Sequence, residues 1–337
     1  MKKKFKTKII AEIGVNHGGS IKTAFKLINV AKKAGADVAK FQFFNTTSLV
    51  SKKAHKAPYQ KRSKGDRDTQ YKLLKPLELN IKNFEKIKNF CKKRKIDFML
   101  SIFDETGIKA IKKLKLKDIK IPSGEINNYP LLRQIGKLKK NVILSTGMST
   151  YKEVKNAINI LKKNGTIKNK ITILQCNSSY PSPHKDANLK VMKEYEKKFG
   201  IKAGYSDHTP GIESSLAAVA LGAKIIEKHF TLNKRSKGPD HSSSLNPKEF
   251  SQLTKSIKKV TESLGTRDKK ITKSERQNIK IVRKSIVAKN FISKGEKFNS
   301  NNITVKRPAG GLGPEKWDQI KGKIAKKNFK EDEFIKI

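Results

Sequence analysis

Short apolar segments alternate with longer amphipathic segments from residue 8 to about residue 265. The spacing predicts helices between the apolar segments, including 21–34, 81–93, 105–114, 151–163 and 211–221, and a last helix over 246–264. The apolar segments have the length and β-branched content of strands, and we predict eight: 8–15, 37–43, 97–103, 118–122, 141–145, 170–176, 202–206 and 224–230.

This order of elements indicates the α/β class. Eight strand-then-helix units over roughly 250 residues are typical of a (β/α)8 TIM barrel. A doubly wound open sheet is the alternative, but no Gly-x-Gly-x-x-Gly motif follows the first strand. Two longer segments, 45–77 and 233–245, follow the second and eighth strands. In a barrel such loops lie on the carboxyl face, where ligands bind.

The last 70 or so residues follow a different pattern. A charged stretch without apolar periodicity predicts a linker, and the short β-type pieces 285–291, 297–298 and 303–305 that follow it are separated by glycines and asparagines. We therefore predict a barrel domain over 1–266, a linker over 267–280 and a small β-rich domain over 281–337. The last of these is near the lower size limit for independent folding.

Lysine dominates the charge of the chain. The formal net charge is +48, from 77 Lys and Arg residues against 29 Asp and Glu, and only nine of the 77 are arginine. Grooves that bind nucleic acid use arginine interleaved with aromatic residues, and the sequence contains no such cluster. We predict a solvated lysine-rich surface and no specific nucleic-acid partner.

Cysteine usage and hydropathy indicate the compartment. Cys91 and Cys176 lack the spacing of a disulfide framework or a zinc knuckle, which fits a reducing environment. Residues 1–5 resemble the start of a signal peptide, but Glu12 interrupts the apolar run that follows, and no apolar segment is long enough to cross a bilayer. We predict a cytoplasmic protein with no membrane partner.

Polar side chains end nearly every predicted strand, where a barrel enzyme places its active site. Lys40 and Lys120 lie within otherwise apolar strands, so each must meet an anion or lose its charge. With Ser123, Ser145 and Ser206 as hydroxyl donors, they predict a pocket for a phosphate or carboxylate. The alternative is that both lysines pair in the core with one of two glutamates, Glu12 or Glu227.

Two histidines, His208 and His229, end the last two strands and are expected to lie side by side. Two imidazoles are too few for a structural zinc site. Completed by Glu12 or another carboxylate and by water or substrate, they suit a catalytic divalent ion, with Mn²⁺ expected and Mg²⁺ or Co²⁺ as alternatives. The competing interpretation is that each histidine only hydrogen-bonds its neighbours.

A set of motifs in chain order resembles the sialic acid (nonulosonate) synthases. The motifs are 10–19 (IAEIGVNHGG), 40–42 (KFQ), 122–125 (PSGE), 144–148 (LSTGM), 180–181 (YP), 206–209 (SDHT), 227–231 (EKHFT) and 238–241 (GPDH). The closing segment 305–311 (VKRPAGG) resembles the antifreeze-like SAF (β-clip) domain that this family appends to its barrel. The chain departs from the usual family pattern at Ile102 and at 175–178 (QCNS).

The resemblance implies condensation of phosphoenolpyruvate with an open-chain 2-acetamido sugar and water, giving a nine-carbon 2-keto acid and phosphate. It implies a metal held by His208 and His229, and Glu125 as the group that handles the proton of the attacking water. The catalytic residues that it implies are His208, His229, Glu125, Glu12 and Lys120. The residues implied to bind phosphoenolpyruvate are Lys40, Gln42, Lys120, Ser123, Ser145, Thr146, Ser178 and Ser206.

The sugar-contacting positions implied by the resemblance are Glu12, Tyr180, Asp240 and Arg307. The arginine is expected to reach from the SAF domain into the partner's barrel, which implies a domain-swapped homodimer. N-acetylmannosamine is the expected acceptor. A 2,4-diacetamido-trideoxy sugar, giving legionaminic or pseudaminic acid, is the alternative. Residues of the second-strand insertion, 59–60 and 70–71, are expected to help choose between such sugars.

Two further hypotheses stay open at this point. One is a different condensation of phosphoenolpyruvate, such as 3-deoxy-octulosonate phosphate synthesis, which requires a phosphosugar acceptor. The other is a lysine-rich binding protein that keeps the fold without activity. The Arg307-bearing tail disfavours the first, and the set of polar strand ends from Glu12 to His229 disfavours the second.

Overall fold

The computed structural model of the protein describes residues 7–57, 60 and 68–337. The chain divides into two compact units, Met1–Gly265 and Thr266–Ile337. Within the described residues, no helix combines the length and the apolar content needed to cross a membrane.

The first unit is a closed barrel of eight parallel strands in sequential order, which confirms the TIM-barrel prediction. The observed strand ends differ from the predicted ones by one residue at most. The strands are β1 (Lys8–Gly14), β2 (Val38–Phe43), β3 (Asp97–Ile102), β4 (Asp118–Ile121), β5 (Asn141–Ser145), β6 (Ile171–Cys176), β7 (Lys202–Asp207) and β8 (Ile225–His229).

Helices follow the strands, and most begin at a side chain that accepts a hydrogen bond from the first turn, as Ser20, Asp104 and Thr150 do. The helices are α1 (Ile21–Lys33), α2 (Thr46–Leu49), α3 (Gln70–Leu74), α4 (Ile81–Lys93), α5 (Glu105–Lys113), α6 (Tyr129–Lys137), α7 (Tyr151–Lys163), α8 (Val191–Phe199), α9 (Glu213–Ala220) and α10 (Pro247–Ser263).

A layer of apolar side chains fills the barrel interior. Each residue of this layer points into the barrel. Because successive side chains of a strand point to opposite faces, the residue two positions further along the strand points inward as well. These later residues line a cavity at the carboxyl ends of the strands, so the apolar layer forms the floor of that cavity. The floor residues are Ile10, Val38, Met99, Ile143, Leu174 and Ile225, and the residues above them are Glu12, Lys40, Ser101, Ser145, Cys176 and Glu227.

Gly204 of β7 has no side chain because its neighbours occupy the space. A Cβ atom there would lie 2.6 Å from the carbonyl oxygen of Ile225 and 2.7 Å from Cδ2 of Leu174. Both distances are shorter than real Cβ contacts allow. The floor is therefore closed at β7 by the side chain of Leu174 from β6 and by the backbone of Ile225 from β8, in keeping with the dense packing of protein interiors.

The second unit pairs β9 (Ser285–Ala288) antiparallel with β10 (Ile303–Lys306) and also contains α12 (Trp317–Ile320). Its core includes Ile286, Phe298 and Phe329. Helix α11 (Arg276–Val282) begins inside the segment predicted as a linker, and none of its side chains is buried. The sequence pattern did not reveal this helix because no apolar face of it packs against a core. The bounds of the linker and of the two domains stay predictions.

The floor predicts a stability effect for Leu174→Ala. Leu174 is fully buried, and its truncation would leave a cavity under the polar strand ends, at an expected cost of ~2–5 kcal/mol in the free energy of unfolding. Urea unfolding followed by far-ultraviolet circular dichroism measures it. Leu264→Ala, at a half-exposed leucine after α10, is the control and should change the free energy of unfolding little. Equal effects of the two substitutions would contradict a closed floor.

Candidate active site

A cavity of about 380 Å³ opens at the carboxyl ends of the barrel strands, directly above the apolar floor. That is where the sequence predicted the site. Most of the predicted site residues line it together: Glu12, Lys40, Gln42, Lys120, Ser123, Ser145, Ser178, Tyr180, Ser206, His208 and His229.

Two lysines and two glutamates form a continuous buried network on one side of the cavity. Lys40 Nζ lies 2.8 Å from Glu12 Oε2 and 3.6 Å from Glu227 Oε1, and Lys120 Nζ lies 3.0 Å from the same Glu227 oxygen. The hydroxyl of Ser206 donates to that oxygen at 3.0 Å. The alternative in which the lysines pair with Glu12 and Glu227 thus describes this structure, and the whole network lines the cavity.

The charges of this network hold each other in place. Burial alone would raise the pKa of Glu227, but attraction to Lys120 and Lys40 outweighs it and lowers that pKa to about 2. Burial would lower the pKa of Lys40, yet Glu12 and Glu227 keep it raised. Burial raises the pKa of Glu12 despite the nearby Lys40, and burial lowers the pKa of Lys120. Glu12 and Lys120 are therefore the members whose charged forms are held least firmly.

Two imidazoles stand beside this network, with ring centroids 5.4 Å apart and His229 as the register partner of Glu12. Nδ1 of His208 lies 2.5 Å from the carbonyl oxygen of Asn177, so this nitrogen carries a proton. The ring of Tyr180 lies 4.1 Å from that of His208. Nδ1 of His229 is buried and finds no hydrogen-bond partner among the described residues, and Asp240 Oδ2 lies 3.8 Å from it.

These two histidines fit a metal with open coordination positions. Burial lowers the pKa of His229 well below its usual range, which keeps its ring neutral, as a metal ligand must be. The buried Nδ1 of this ring has no partner in the described ranges 7–57, 60 and 68–337, and a bound ligand would satisfy it. Among the described residues, no group of three or more His, Cys, Asp or Glu side chains is placed to hold an ion. Two ligands with water or substrate completing the shell is thus the arrangement that fits.

Four predicted site residues lie outside the cavity lining. Glu125 follows Ser123 and Gly124 at the rim, where Asn128 Nδ2 donates to its Oε2 at 2.7 Å. Thr146 turns to a neighbouring cavity, and its hydroxyl donates to Leu174 O at 2.9 Å. Asp240 is buried beside His229, and Arg307 is an exposed residue of the second unit.

The insertion after β2 is only partly described. Gln70 lines the cavity, and its amide donates to Gln60 Oε1 at 3.2 Å. Tyr71 lies 3.4 Å from Thr47 through its hydroxyl. Tyr59 lies outside the described residues, so its expected part in sugar selection stays a prediction.

Several residues of the cavity lining were not among the predicted site residues, including Cys176 and Met148. Cys176 Sγ lies 3.8 Å from Nδ1 of His208, while Phe103 and Met148 line the opening. Cys176 ends a predicted strand and sits two positions after a floor residue, so the strand alternation alone could have placed it in the site. Phe103 and Met148 come from loops, and their chemistry gives no comparable signal.

Comparisons with known proteins agree with this geometry. A model described as the NeuB family matches residues 27–269, and a SAF domain model matches residues 283–337. The chain is 48% identical over 331 residues to the N,N'-diacetyllegionaminic acid synthase of Campylobacter jejuni, covering 98% of this chain and 99% of the relative. It is 39% identical over 316 residues to the enzyme of the same name from Legionella pneumophila, covering 93% and 89%.

A solved structure gives the same picture. The N-acetylneuraminic acid (sialic acid) synthetase of Leptospira borgpetersenii matches with a TM-score of 0.71 and 34% identity, covering 81% of this chain and 90% of that chain. The resemblance to the sialic acid synthases is thereby confirmed. Together with the cavity, these matches identify the protein: it belongs to the NeuB family of phosphoenolpyruvate-dependent synthases and carries the SAF domain at its carboxyl end.

Proposed function

We propose that this protein condenses phosphoenolpyruvate with open-chain N-acetylmannosamine and water, giving N-acetylneuraminate and phosphate. The observation that carries the proposal is the meeting of a lysine and serine cluster with a histidine pair in one cavity. Its volume, about 380 Å³, lies in the range of small-molecule sites. The two halves suit an anionic enol phosphate and a sugar aldehyde, respectively.

The lysine half would bind phosphoenolpyruvate. Lys40 and Lys120 present ammonium groups at the cavity wall, and Ser123, Ser145 and Ser206 add hydroxyl donors. The hydroxyl of Ser145 is buried and has no hydrogen-bond partner within the part of the chain that the structure describes, so an incoming phosphate or carboxylate would satisfy it. Binding exchanges part of the lysines' contacts with Glu12 and Glu227 for contacts with the substrate.

The histidine half would orient the sugar. Enzymes of this family are metal-dependent in general. His208 and His229 are the residues that would hold the ion, for which we propose Mn²⁺. Such an ion acts as a Lewis acid on a carbonyl oxygen. Tyr180, whose ring contacts both imidazoles, and Glu12, whose Oε1 accepts a hydrogen bond from Gln42 at 3.1 Å, would fix the sugar beside them.

The proposed reaction forms a carbon–carbon bond and breaks a carbon–oxygen bond. C3 of the enol phosphate attacks the aldehyde carbon, water adds to C2, and the resulting hemiketal phosphate loses phosphate through C–O cleavage. We propose that Glu125 takes the proton of the attacking water, because burial raises its pKa toward the range useful for proton transfer. We also propose a domain-swapped homodimer in the cytoplasm, with Arg307 of the partner subunit contacting the sugar.

A 2,4-diacetamido-trideoxy sugar is the second candidate acceptor. One specific observation favours it: the relatives that are 48% and 39% identical both carry the name N,N'-diacetyllegionaminic acid synthase. The names come with whole-chain coverage, but the choice of acceptor depends on individual contacts to the sugar's substituents.

The metal proposal predicts that chelation stops phosphate release from phosphoenolpyruvate and that added Mn²⁺ restores it. His208→Ala should lower kcat/KM by roughly 10³-fold or more, because a Lewis acid contributes several kcal/mol to the transition state. His184→Ala is the matched control, since this imidazole contacts Ser214 outside the cavity. Activity that survives chelation, or equal activity of the two variants, would contradict the metal site.

The acceptor proposal predicts phosphate release only when an unphosphorylated 2-acetamido sugar is present. In a mixture of N-acetylmannosamine and a 2,4-diacetamido-trideoxy sugar, the nine-carbon product from the former is expected to form with the higher kcat/KM, measured by mass spectrometry of the 2-keto acids. A preference for the latter assigns the second candidate. Turnover with arabinose 5-phosphate instead would refute both.

The assignment of Glu125 predicts the acid limb of the pH profile. The pKa of Glu125 is raised above 4.5 by burial, and a base is inactive when protonated, so kcat/KM should fall as pH drops through that raised value. Asn128→Ser removes the amide that stabilises the carboxylate but keeps a capping side chain for α6, so the limb should move to higher pH. Asn80→Ser, at the cap of α4, should not move it. An unmoved limb in Asn128→Ser would mean that another group titrates.

A further inference from the structure

A buried ion pair lies on the outer face of the last two strands, away from the cavity. Asp207 of β7 and Lys228 of β8 are register partners, with Nζ 2.9 Å from Oδ2 and both side chains at most 1% exposed. Their neighbours Ser206 and Glu227 line the cavity, so strand alternation turns the ion pair outward, toward the helices.

The Asp207–Lys228 pair connects the two strands to a turn and a helix as well. Oδ1 of Asp207 accepts from the backbone N–H and the hydroxyl of Thr209, both at 2.8 Å. Oδ2 accepts from Ser215 of α9 at 2.6 Å, and Lys228 Nζ donates to the carbonyl oxygen of Thr209 at 2.5 Å. Strands β7 and β8, the turn after β7 and helix α9 thus meet at one pair of charges.

Each member of the pair directly precedes one of the two cavity histidines. His208 follows Asp207, and His229 follows Lys228. Thr209, on the other side of His208, is held at its N–H, its hydroxyl and its carbonyl by the same two side chains. The backbone on both sides of His208 is therefore fixed relative to the residue that precedes His229.

Stability alone does not account for such a pair. Burying two charges costs desolvation energy that their attraction and hydrogen bonds roughly repay, so apolar residues of similar size would serve the fold as well. What a fully hydrogen-bonded pair adds is a fixed geometry between the strands that carry it. Groups behind metal ligands commonly set ligand orientation and metal affinity in this way.

We propose that the Asp207–Lys228 ion pair is a positioning pair that holds His208 and His229 at the separation needed to bind one divalent metal ion between them. The inference rests on the proposed metal site but assigns residues that touch neither the substrates nor the ion. It places the control of metal affinity on the outer face of the barrel.

The test is Mn²⁺ binding by the full chain, measured by calorimetric titration without substrates. Lys228→Met should weaken Mn²⁺ affinity roughly 10- to 100-fold, and Ser215→Ala, which removes one hydrogen bond to Asp207, should weaken it less. Two controls should leave it unchanged. Lys234→Met breaks the exposed ion pair with Glu249, and Val154→Ala makes a cavity in the core at α7.

The outcomes separate this inference from the proposed function. Wild-type affinity in Lys228→Met, or an equal loss in Val154→Ala, overturns the positioning role, because a merely structural effect would follow stability. If Lys228→Met does not fold, Ser215→Ala decides by the same criterion. A wild-type chain that binds no Mn²⁺ overturns both proposals. Weakened Mn²⁺ binding in Lys228→Met, together with no turnover of any acetamido sugar by the Mn²⁺-loaded wild-type chain, supports the positioning pair and overturns the proposed function.

Discussion

The structure depends on how two lysines and two glutamates are kept charged inside a closed barrel. An isolated buried ion would be too costly, so each charge is placed against its opposite, with serine hydroxyls completing the contacts. The cluster has no excess charge when each member is ionised. A substrate that carries several negative charges therefore enters by replacing carboxylates as the lysines' partner, and the carboxylates must then be neutralised or rehydrated. Glu12, whose pKa is already raised, is the member for which neutralisation costs least.

The lysine cluster and the histidine pair solve different electrostatic problems next to each other. The lysines need negative partners, whereas His229 is kept neutral by burial and by the positive groups around it. The neutral ring of His229 is available to a metal at ordinary pH. The same cavity thus keeps its lysines paired with carboxylates while the ring of His229 beside them stays neutral.

Much of the barrel could be predicted from the sequence because its signals are local. Each strand is a short apolar run, and its polar residues, such as Lys40 within β2 and His229 at the end of β8, face the same cavity once the strands are placed in order. The pairing of Lys120 with Glu227 could be listed only as an alternative, since two anions compete for each lysine and their distances depend on the barrel's register. The outward-facing pair of Asp207 and Lys228 could not be predicted from the sequence. Each residue is next to one that faces the cavity, so only the exact alternation of side chains along the strand shows which face it takes. Helix α11 was missed since it packs against no core.

The apolar floor has a consequence for how such an enzyme can change. Six residues maintain the packing of the barrel interior, and the residues two positions further along the same strands supply the polar groups of the cavity. The residues that pack the barrel and the residues that line the cavity therefore form two separate layers. A substitution in the cavity-lining layer leaves the apolar floor filled. The chain can therefore acquire a new substrate preference through such substitutions without first losing its fold. Evolution and design can both use this separation by leaving the apolar floor unchanged.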